Sequence, residues 1–304
     1  MTFNNVLLVG STGYLGSRIL DALVSKGNFN ITLLLRKDRS STPQGVRSIV
    51  VDFGSDVKLK AALRDQDLVI DATSDFDPRT SIRLMDAAVS AGVKRFFASE
   101  YSAHPNNSVV RSLPVFAGKA AALQHLQQLA DKGKITYTAI SNNAFLDWTL
   151  RNGFLNIDLA NKKVNLLNDG KVGIYWTLLS SITDAVINSI SRAEETKNRV
   201  CYIYSIYKSQ AEMVNLAQEA LGADGWEITR TDMNKVYEDA LAKWSAGQIS
   251  MQVVGDMIRY ANATPDCSKK LEKDDNQLLG VKPLSDEDIK EIIKDIAKEL
   301  QATK

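Results

Sequence analysis

The sequence has little of what marks a disulfide-bonded, metal-binding or membrane-spanning protein. It contains two cysteines and two histidines in 304 residues, and neither pair has the spacing of a disulfide framework or a metal site. We therefore predict that no metal is bound and that the protein works in a reducing, cytoplasmic compartment. No apolar run reaches the roughly 18 residues that cross a bilayer. The first residues, MTFNN, have neither the basic segment nor the cleavage site of a signal peptide.

A strong charge of either sign is also missing. Lys and Arg total 37 against 36 Asp and Glu, for a net charge of +1, which argues against a nucleic acid or an anionic membrane as partner. The 44% of hydrophobic residues suffices for a sizeable core. We expect a folded protein that acts on a small molecule; no pattern indicates an oligomeric state or a protein partner.

Short apolar runs alternate with helical segments in the first half of the chain. Helices are predicted over 14–26, 78–91 and 116–131, and Gly27 and Gly92 end the first two. Strands are predicted at 6–9, 31–35, 49–51, 68–70, 96–98 and 137–140. They are apolar throughout, as strands buried on both faces of a sheet are. This alternation predicts an α/β fold with a Rossmann-type, doubly wound parallel sheet.

The alternation weakens after about residue 150. The second half is predicted to hold two strands and two helices, at 164–167, 200–206, 209–221 and 285–301. The polar segment 267–283 is predicted to be a surface loop. We assign residues 1–150 to an NAD(P)-binding domain. Residues 151–304 are assigned mainly to a smaller C-terminal substrate-binding lobe, with some segments returning to the sheet.

A glycine-rich turn follows the first predicted strand and opens the first helix. Gly10 permits the tight turn, Gly13 lets the backbone approach a pyrophosphate, and Gly16 lets the helix pack close to the sheet. An anion is then favoured by the free N–H groups and the dipole of the helix. The alternative is an ordinary strand-to-helix turn. The other residues predicted to contact the cofactor here are Ser11, Thr12, Tyr14 and Leu15.

The end of the second strand indicates which dinucleotide is bound. Sites for NAD usually have an acidic residue there, whereas this strand is followed by Arg36 and Lys37. Two cations suit a 2′-phosphate, so NADPH is the predicted cofactor. Arg39 and Ser40 are further candidates, and the alternative is a solvated charged pair. By analogy with the fold, the third and fourth strands should add Asp52, Phe53, Ala72 and Thr73 to the site.

Segments along most of the chain match a known pattern: GSTGYLG at 10–16, Arg36, RFFASEY at 95–101, FAGK at 116–119, YTAISNNAF at 137–145, NRVCYI at 198–203 and SQAEMV at 209–214. With these motifs the chain resembles the NmrA-like and isoflavone-reductase-like group of atypical short-chain dehydrogenases/reductases. The resemblance implies an NADPH-binding fold and makes Lys119 the catalytic residue. Some relatives place a histidine near His104, the second catalytic candidate. Plant members read SEFG where this chain reads SEYS, which puts their substrate class in doubt.

The position of Lys119 can also be judged from the residues alone. It lies in the first turns of the helix predicted from 116, on the same face as Leu123 and Leu126. No acidic residue lies within a helical turn of it, so partial burial should lower its pKa and suit it to proton transfer. Lys119 is also among the residues predicted to contact the cofactor. The alternatives to a catalytic role are a solvated lysine and one that only bonds the cofactor ribose.

The substrate pocket is predicted to include Tyr101, Asn143, Phe145 and Trp148. We predict an NADPH-dependent oxidoreductase that reduces a small, aromatic or conjugated substrate by hydride transfer. The alternative is an NmrA-like regulator that senses NADP(H) without turnover, although the regulatory branch lacks the lysine. A sugar-nucleotide epimerase is a weaker alternative, because the Tyr-x-x-x-Lys pair occurs only at Tyr204 and Lys208, in a late strand.

Overall fold

The computed structural model describes residues 2–38, 41–74 and 76–302; Arg39 and Ser40 lie outside them. The strands are, in chain order, β1 (Asn5–Val9), β2 (Asn30–Leu35), β3 (Arg47–Val50), β4 (Leu68–Asp71), β5 (Arg95–Ala98), β6 (Thr136–Ser141), β7 (Ala144–Phe145), β8 (Ile157–Asp158), β9 (Lys163–Leu167), β10 (Gly173–Thr177), β11 (Arg199–Tyr202), β12 (Ile206–Ser209) and β13 (Glu227–Thr231).

The helices are α1 (Tyr14–Lys26), α2 (Asp56–Ala62), α3 (Pro78–Ala91), α4 (Ser108–Ser112), α5 (Pro114–Asp131), α6 (Leu146–Asn152), α7 (Leu179–Ser191), α8 (Gln210–Leu221), α9 (Met233–Ser245), α10 (Met251–Ala263), α11 (Asn276–Leu279) and α12 (Asp286–Ala302), with a 3-10 turn at Pro265–Cys267. Within the described residues, no helix has both the length and the apolarity to cross a membrane.

Seven parallel strands form the central sheet, in the order β11-β6-β5-β4-β1-β2-β3. Helices α1 and α7 pack on one face of the sheet, and α2, α3 and α5 pack on the other. The predicted doubly wound Rossmann fold is therefore confirmed. The strand order reverses between β1 and β4, and ligands bind such sheets outside the carboxyl ends of the strands at that point. Gly10 follows β1 there, and Ala72 follows β4.

Local signals explain why the helix boundaries agree with prediction. Gly27 and Gly92 end α1 and α3 in the left-handed conformation, with φ of 68° and 81°, which glycine adopts without a steric penalty. Ser209 caps α8 as predicted, and Glu212 completes the capping box.

Two predictions for the second half are wrong. The apolar run 200–206 is two strands, because the chain leaves the central sheet after β11 and β12 pairs antiparallel with β10. The segment 267–283 is not simply a surface loop, since Asp275 and Asn276 are buried. Their side chains accept hydrogen bonds from the N–H groups of Tyr202 (2.8 Å) and Tyr204 (3.1 Å). These polar residues are buried because they satisfy the backbone where β11 ends.

Most of the remaining elements, from β7 onward, lie outside the central sheet. Two three-stranded sheets, β12-β10-β7 and β13-β9-β8, share an apolar core with α6, α8 and α12. Helices α9 and α10 pack with α4 and the start of α5 in a separate cluster. This cluster brings α10 into contact with α5, the helix that contains Lys119.

Candidate functional site

The glycine turn has the geometry of a phosphate cradle. Gly10 has a φ of +81°, and a Cβ there would lie 2.5 Å from the carbonyl oxygen of Ala72. A Cβ on Gly16 would overlap the Gly10 carbonyl oxygen and lie 2.7 Å from its carbon. A Cβ on Gly13 would meet the Gly10 oxygen at an ordinary 3.5 Å. The fold thus requires Gly10 and Gly16, whereas Gly13 leaves room beside the start of α1.

Ser11 fits the same ligand. The residue is 1% exposed, and among the described residues nothing forms a hydrogen bond with its hydroxyl. A buried hydroxyl without a partner is costly. Together with the space at Gly13 and the N-terminus of α1, this hydroxyl matches the acceptor oxygens of a pyrophosphate. The residues present therefore fit the dinucleotide that the motif predicts.

Arg36 and Phe53 meet at the ends of β2 and β3. The guanidinium carbon of Arg36 lies 5.9 Å from the centre of the Phe53 ring, within cation–π distance. Arg36 and Lys37 are exposed, so both cations are accessible to a phosphate. Asp52 accepts a hydrogen bond from the N–H of Gly54 at 2.8 Å, which fixes the turn after β3.

A hydrogen-bonded chain runs from β4 to Lys119. The buried carboxylate of Asp71 accepts from the N–H (3.0 Å) and hydroxyl (2.7 Å) of Thr73, and also from the hydroxyl of Ser81 (2.7 Å). Ser99 donates to the carbonyl of Thr73, and the ammonium of Lys119 donates to the carbonyl of Ser99. These hydrogen bonds connect Thr73, the predicted cofactor contact, to Lys119, the predicted catalytic residue.

The electrostatics at Lys119 depend on other elements of the fold. Desolvation lowers the pKa of Lys119, and Arg111 lowers it further, while Glu100 and Asp71 act in the opposite direction. Glu100 and Arg111 form a buried ion pair, and desolvation raises the pKa of Glu100 despite this pairing. No acid lies within a helical turn of Lys119 on its own helix, as the sequence indicated. The two carboxylates come from the ends of β4 and β5.

A cavity of about 460 Å³ joins the glycine turn to Lys119. Gly13, Tyr14, Leu15, Ala72 and Thr73 line one end of it, and Lys119 lines the same space. The four residues predicted for the pocket, Tyr101, Asn143, Phe145 and Trp148, all line it. Most of the remaining lining is apolar or aromatic, as in typical small-molecule sites.

The conformation of Asn143 explains how β6 delivers its loop to the cavity. Its φ is +55°, in the left-handed region that asparagine tolerates better than most residues. Its N–H donates to the carbonyl of Ser102 at 3.0 Å. The kink turns the chain from β6 into β7 and α6, the elements that carry Phe145 and Trp148.

Sequence reasoning missed the opposite wall of the cavity. Helix α10 supplies Met251, Val254, Gly255, Ile258, Ala261 and Asn262, and the turn after it supplies Cys267 and Ser268. The apolar stripe of α10 was the available signal. Such a stripe does not reveal which distant helix it faces.

His104 is not among the residues that line the cavity. It is 6% exposed, and its Nδ1 lies 2.9 Å from the hydroxyl of Ser141. The rings of Tyr175 and Tyr202 pack against it at 5.2 and 5.4 Å. Burial, with a smaller effect of Arg111, lowers its pKa to about 4. A catalytic role for His104 stays a prediction that this arrangement does not support.

Comparison with known proteins gives a consistent set of relatives. A model of the NmrA-like family matches residues 2–223. Oxidoreductase poxI of Penicillium oxalicum is 28% identical over 290 residues, which are 92% of this chain and 90% of that protein. The bifunctional pinoresinol-lariciresinol reductase of Thuja plicata is 26% identical over 265 residues, 79% of this chain and 80% of that protein.

Solved structures share the fold. The binary complex of leucoanthocyanidin reductase and NADPH from Vitis vinifera has a TM-score of 0.75 at 16% identity, covering 95% of this chain and 99% of that chain. A crystal structure of isoflavone reductase has a TM-score of 0.73 at 21% identity and covers 94% and 98% of the two chains.

Proposed function

The chain belongs to the NmrA-like family. From this premise, and because its relatives are named oxidoreductase and reductase, we propose that it is an NADPH-dependent reductase. Its substrate would be a small aromatic or conjugated molecule in the 460 Å³ cavity, with Lys119 as the proton donor. The observation that carries the proposal is that this one cavity touches both the glycine turn and Lys119.

The cofactor would be held by elements already in place. The turn from Gly10 to Gly16 and the hydroxyl of Ser11 suit the pyrophosphate. Arg36 and Lys37 suit the 2′-phosphate, with Phe53 beneath the guanidinium. Residues Ala72 and Thr73 would border the nicotinamide end. When bound, the nicotinamide ring supplies hydride, which is chemistry that the side chains themselves lack.

The protein would contribute orientation, exclusion of water and a proton. Lys119 is fixed by its bond to the Ser99 carbonyl, so its ammonium has a defined position on the cavity wall. Desolvation lowers the pKa of this lysine, which brings proton transfer closer to neutral pH. Tyr101 lies nearby in the lining, but burial and Asp71 raise the pKa of its phenol. It would therefore orient a substrate rather than exchange a proton.

The lining indicates the class of substrate. Seven aromatic side chains border the cavity: Tyr14, Phe76, Tyr101, Phe116, Phe145, Trp148 and Phe154. Flat aromatic or conjugated molecules bury their area well against such walls. Hydrogen bonds from Asn143 and Asn262 would fix their orientation. We also propose a reducing, cytoplasmic location, because Cys201 and Cys267 are buried and unpaired.

An assay of NADPH absorbance with a panel of quinones, enones and aldehydes tests the proposal. We expect the native enzyme to turn over at least one member of the panel. We expect Lys119→Ala to lower kcat by about 10² or more, the usual contribution of a positioned acid, while NADPH binding by calorimetry stays unchanged. The matched control is Lys132→Ala, an exposed lysine beyond the same helix. Full turnover by Lys119→Ala would exclude the catalytic assignment. NADPH binding with no turnover anywhere in the panel would favour the regulator.

A further inference from the structure

Glu100 is a buried acid that the proposed reaction does not use directly. It follows β5 and is 2% exposed, and its carboxylate pairs with Arg111 on α4. A carboxylate is placed in such a site only at a large desolvation cost. Glu100 lines the same small cavity as Lys119, so an effect on this lysine would explain why a buried carboxylate is present.

Glu100 and Lys119 both line a second, small cavity, and Lys119 also lines the proposed substrate cavity. This cavity measures about 20 Å³, and a void of that size accepts one water molecule. The polar residues in its lining are Ser81, Ser99, Glu100 and Lys119. The carboxylate and the ammonium therefore share one small space, in a setting of low dielectric.

The charges that face Lys119 balance. Asp71 and Glu100 contribute two negative charges from the ends of β4 and β5, and Arg111 contributes a positive charge from α4. With the ammonium of Lys119 the group sums to zero. If Glu100 were neutral, the buried group would carry one excess positive charge. Arginine does not release its proton in proteins, so the excess charge would lower the pKa of Lys119.

We propose that Glu100 is a positioning residue that keeps Lys119 in its ammonium form. Arg111 fixes the carboxylate, and the carboxylate in turn offsets the desolvation of the lysine. This inference rests on the proposed function, because a protonated Lys119 matters for turnover only if it donates the proton. Without Glu100, the pKa of the lysine would be lower, and a smaller share of Lys119 would carry the proton.

The test measures the protonation of Lys119 without relying on turnover. The full-length protein is labelled with 13Cε-lysine, and the Lys119 signal is assigned from its absence in Lys119→Arg. Its chemical shift is then followed against pH in the native protein, in Glu100→Gln and in Glu100→Asp. Glutamine keeps the shape and removes the charge, whereas aspartate keeps the charge but withdraws it by one methylene.

We expect the titration midpoint of Lys119 to fall in Glu100→Gln by on the order of one pH unit, the usual effect of a close opposite charge. It should fall less in Glu100→Asp. A purely structural role predicts the reverse ranking of damage, because aspartate leaves a void and glutamine does not. Equal midpoints in all three proteins, or a lower midpoint in Glu100→Asp than in Glu100→Gln, would overturn the proposal. If Glu100→Gln does not fold, a titration midpoint in Glu100→Asp equal to that of the native protein would also overturn the proposal.

This outcome is separable from the test of the proposed function. If Lys119 is not the proton donor, Lys119→Ala keeps its turnover while the midpoint still falls in Glu100→Gln. If Glu100 has no influence, Lys119→Ala is inactive while the midpoint stays unchanged. When both proposals hold, Glu100→Gln also moves the alkaline limb of the kcat profile to lower pH and leaves NADPH affinity unchanged.

Discussion

Two glycines of the same turn should respond in opposite ways to alanine. The methyl group of Gly16→Ala would overlap the Gly10 carbonyl and lie 2.7 Å from its carbon, so α1 must shift away from the turn. Overpacking of this kind costs about 1–3 kcal/mol or more. The methyl group of Gly13→Ala would lie 3.5 Å from the nearest atom, an ordinary contact. We expect its stability to stay within about 1 kcal/mol of the native protein.

NADPH binding, in contrast to folding, should be sensitive to the substitution at Gly13. Gly13 borders the cavity, so its added methyl group would occupy space reserved for the pyrophosphate. We expect at least about a tenfold loss of NADPH affinity in Gly13→Ala, or 1.4 kcal/mol. Urea unfolding and calorimetric titration of both variants provide the two measurements. The reasoning fails if Gly13→Ala binds NADPH like the native protein, or if Gly16→Ala is as stable as the native protein.

Two further predictions concern charge. Arg36→Ala should weaken NADPH binding about tenfold or more and leave NADH binding unchanged, because a charge-assisted bond to phosphate contributes roughly 1.5–3 kcal/mol. The control is Lys26→Ala, on the exposed end of α1. Equal losses of affinity for both dinucleotides would contradict the assignment of Arg36. His104 has a folded pKa of about 4 against 6.5 in the unfolded chain, so the unfolded state binds its proton first and stability falls as the pH drops from 6.5 to 4. The loss of unfolding free energy over this pH range, up to about 3 kcal/mol from His104, is measured by urea titration. This contribution should be absent in His104→Gln and present in His125→Gln. An unchanged pH dependence of stability in His104→Gln would contradict the prediction.

The cofactor half of the site was predictable because it is local in sequence. Three spaced glycines lie within seven consecutive residues at 10–16, directly after β1 and at the start of α1. Arg36 could be assigned for the same reason, since it directly follows β2. These patterns depend on backbone geometry that a short segment determines by itself.

The other half depends on contacts between distant segments. The sequence showed no acid within a helical turn of Lys119, yet Glu100 and Asp71 influence it from two strand ends. The part of the cavity wall formed by α10 was not predicted for the same reason. The apolar stripe of α10 predicts that this face is buried, but it does not show which segment the face packs against. The error at 200–206 is of this kind, because an apolar run does not show that the chain changes sheets within it.

Arg36 and Lys37 at the end of β2 are proposed to select the phosphorylated dinucleotide. Calorimetric titration of the native protein with NADPH and with NADH tests this selection most directly. We expect NADPH to bind at least about tenfold more tightly, a difference of 1.4 kcal/mol. Equal affinities, or no binding of either dinucleotide, would contradict it.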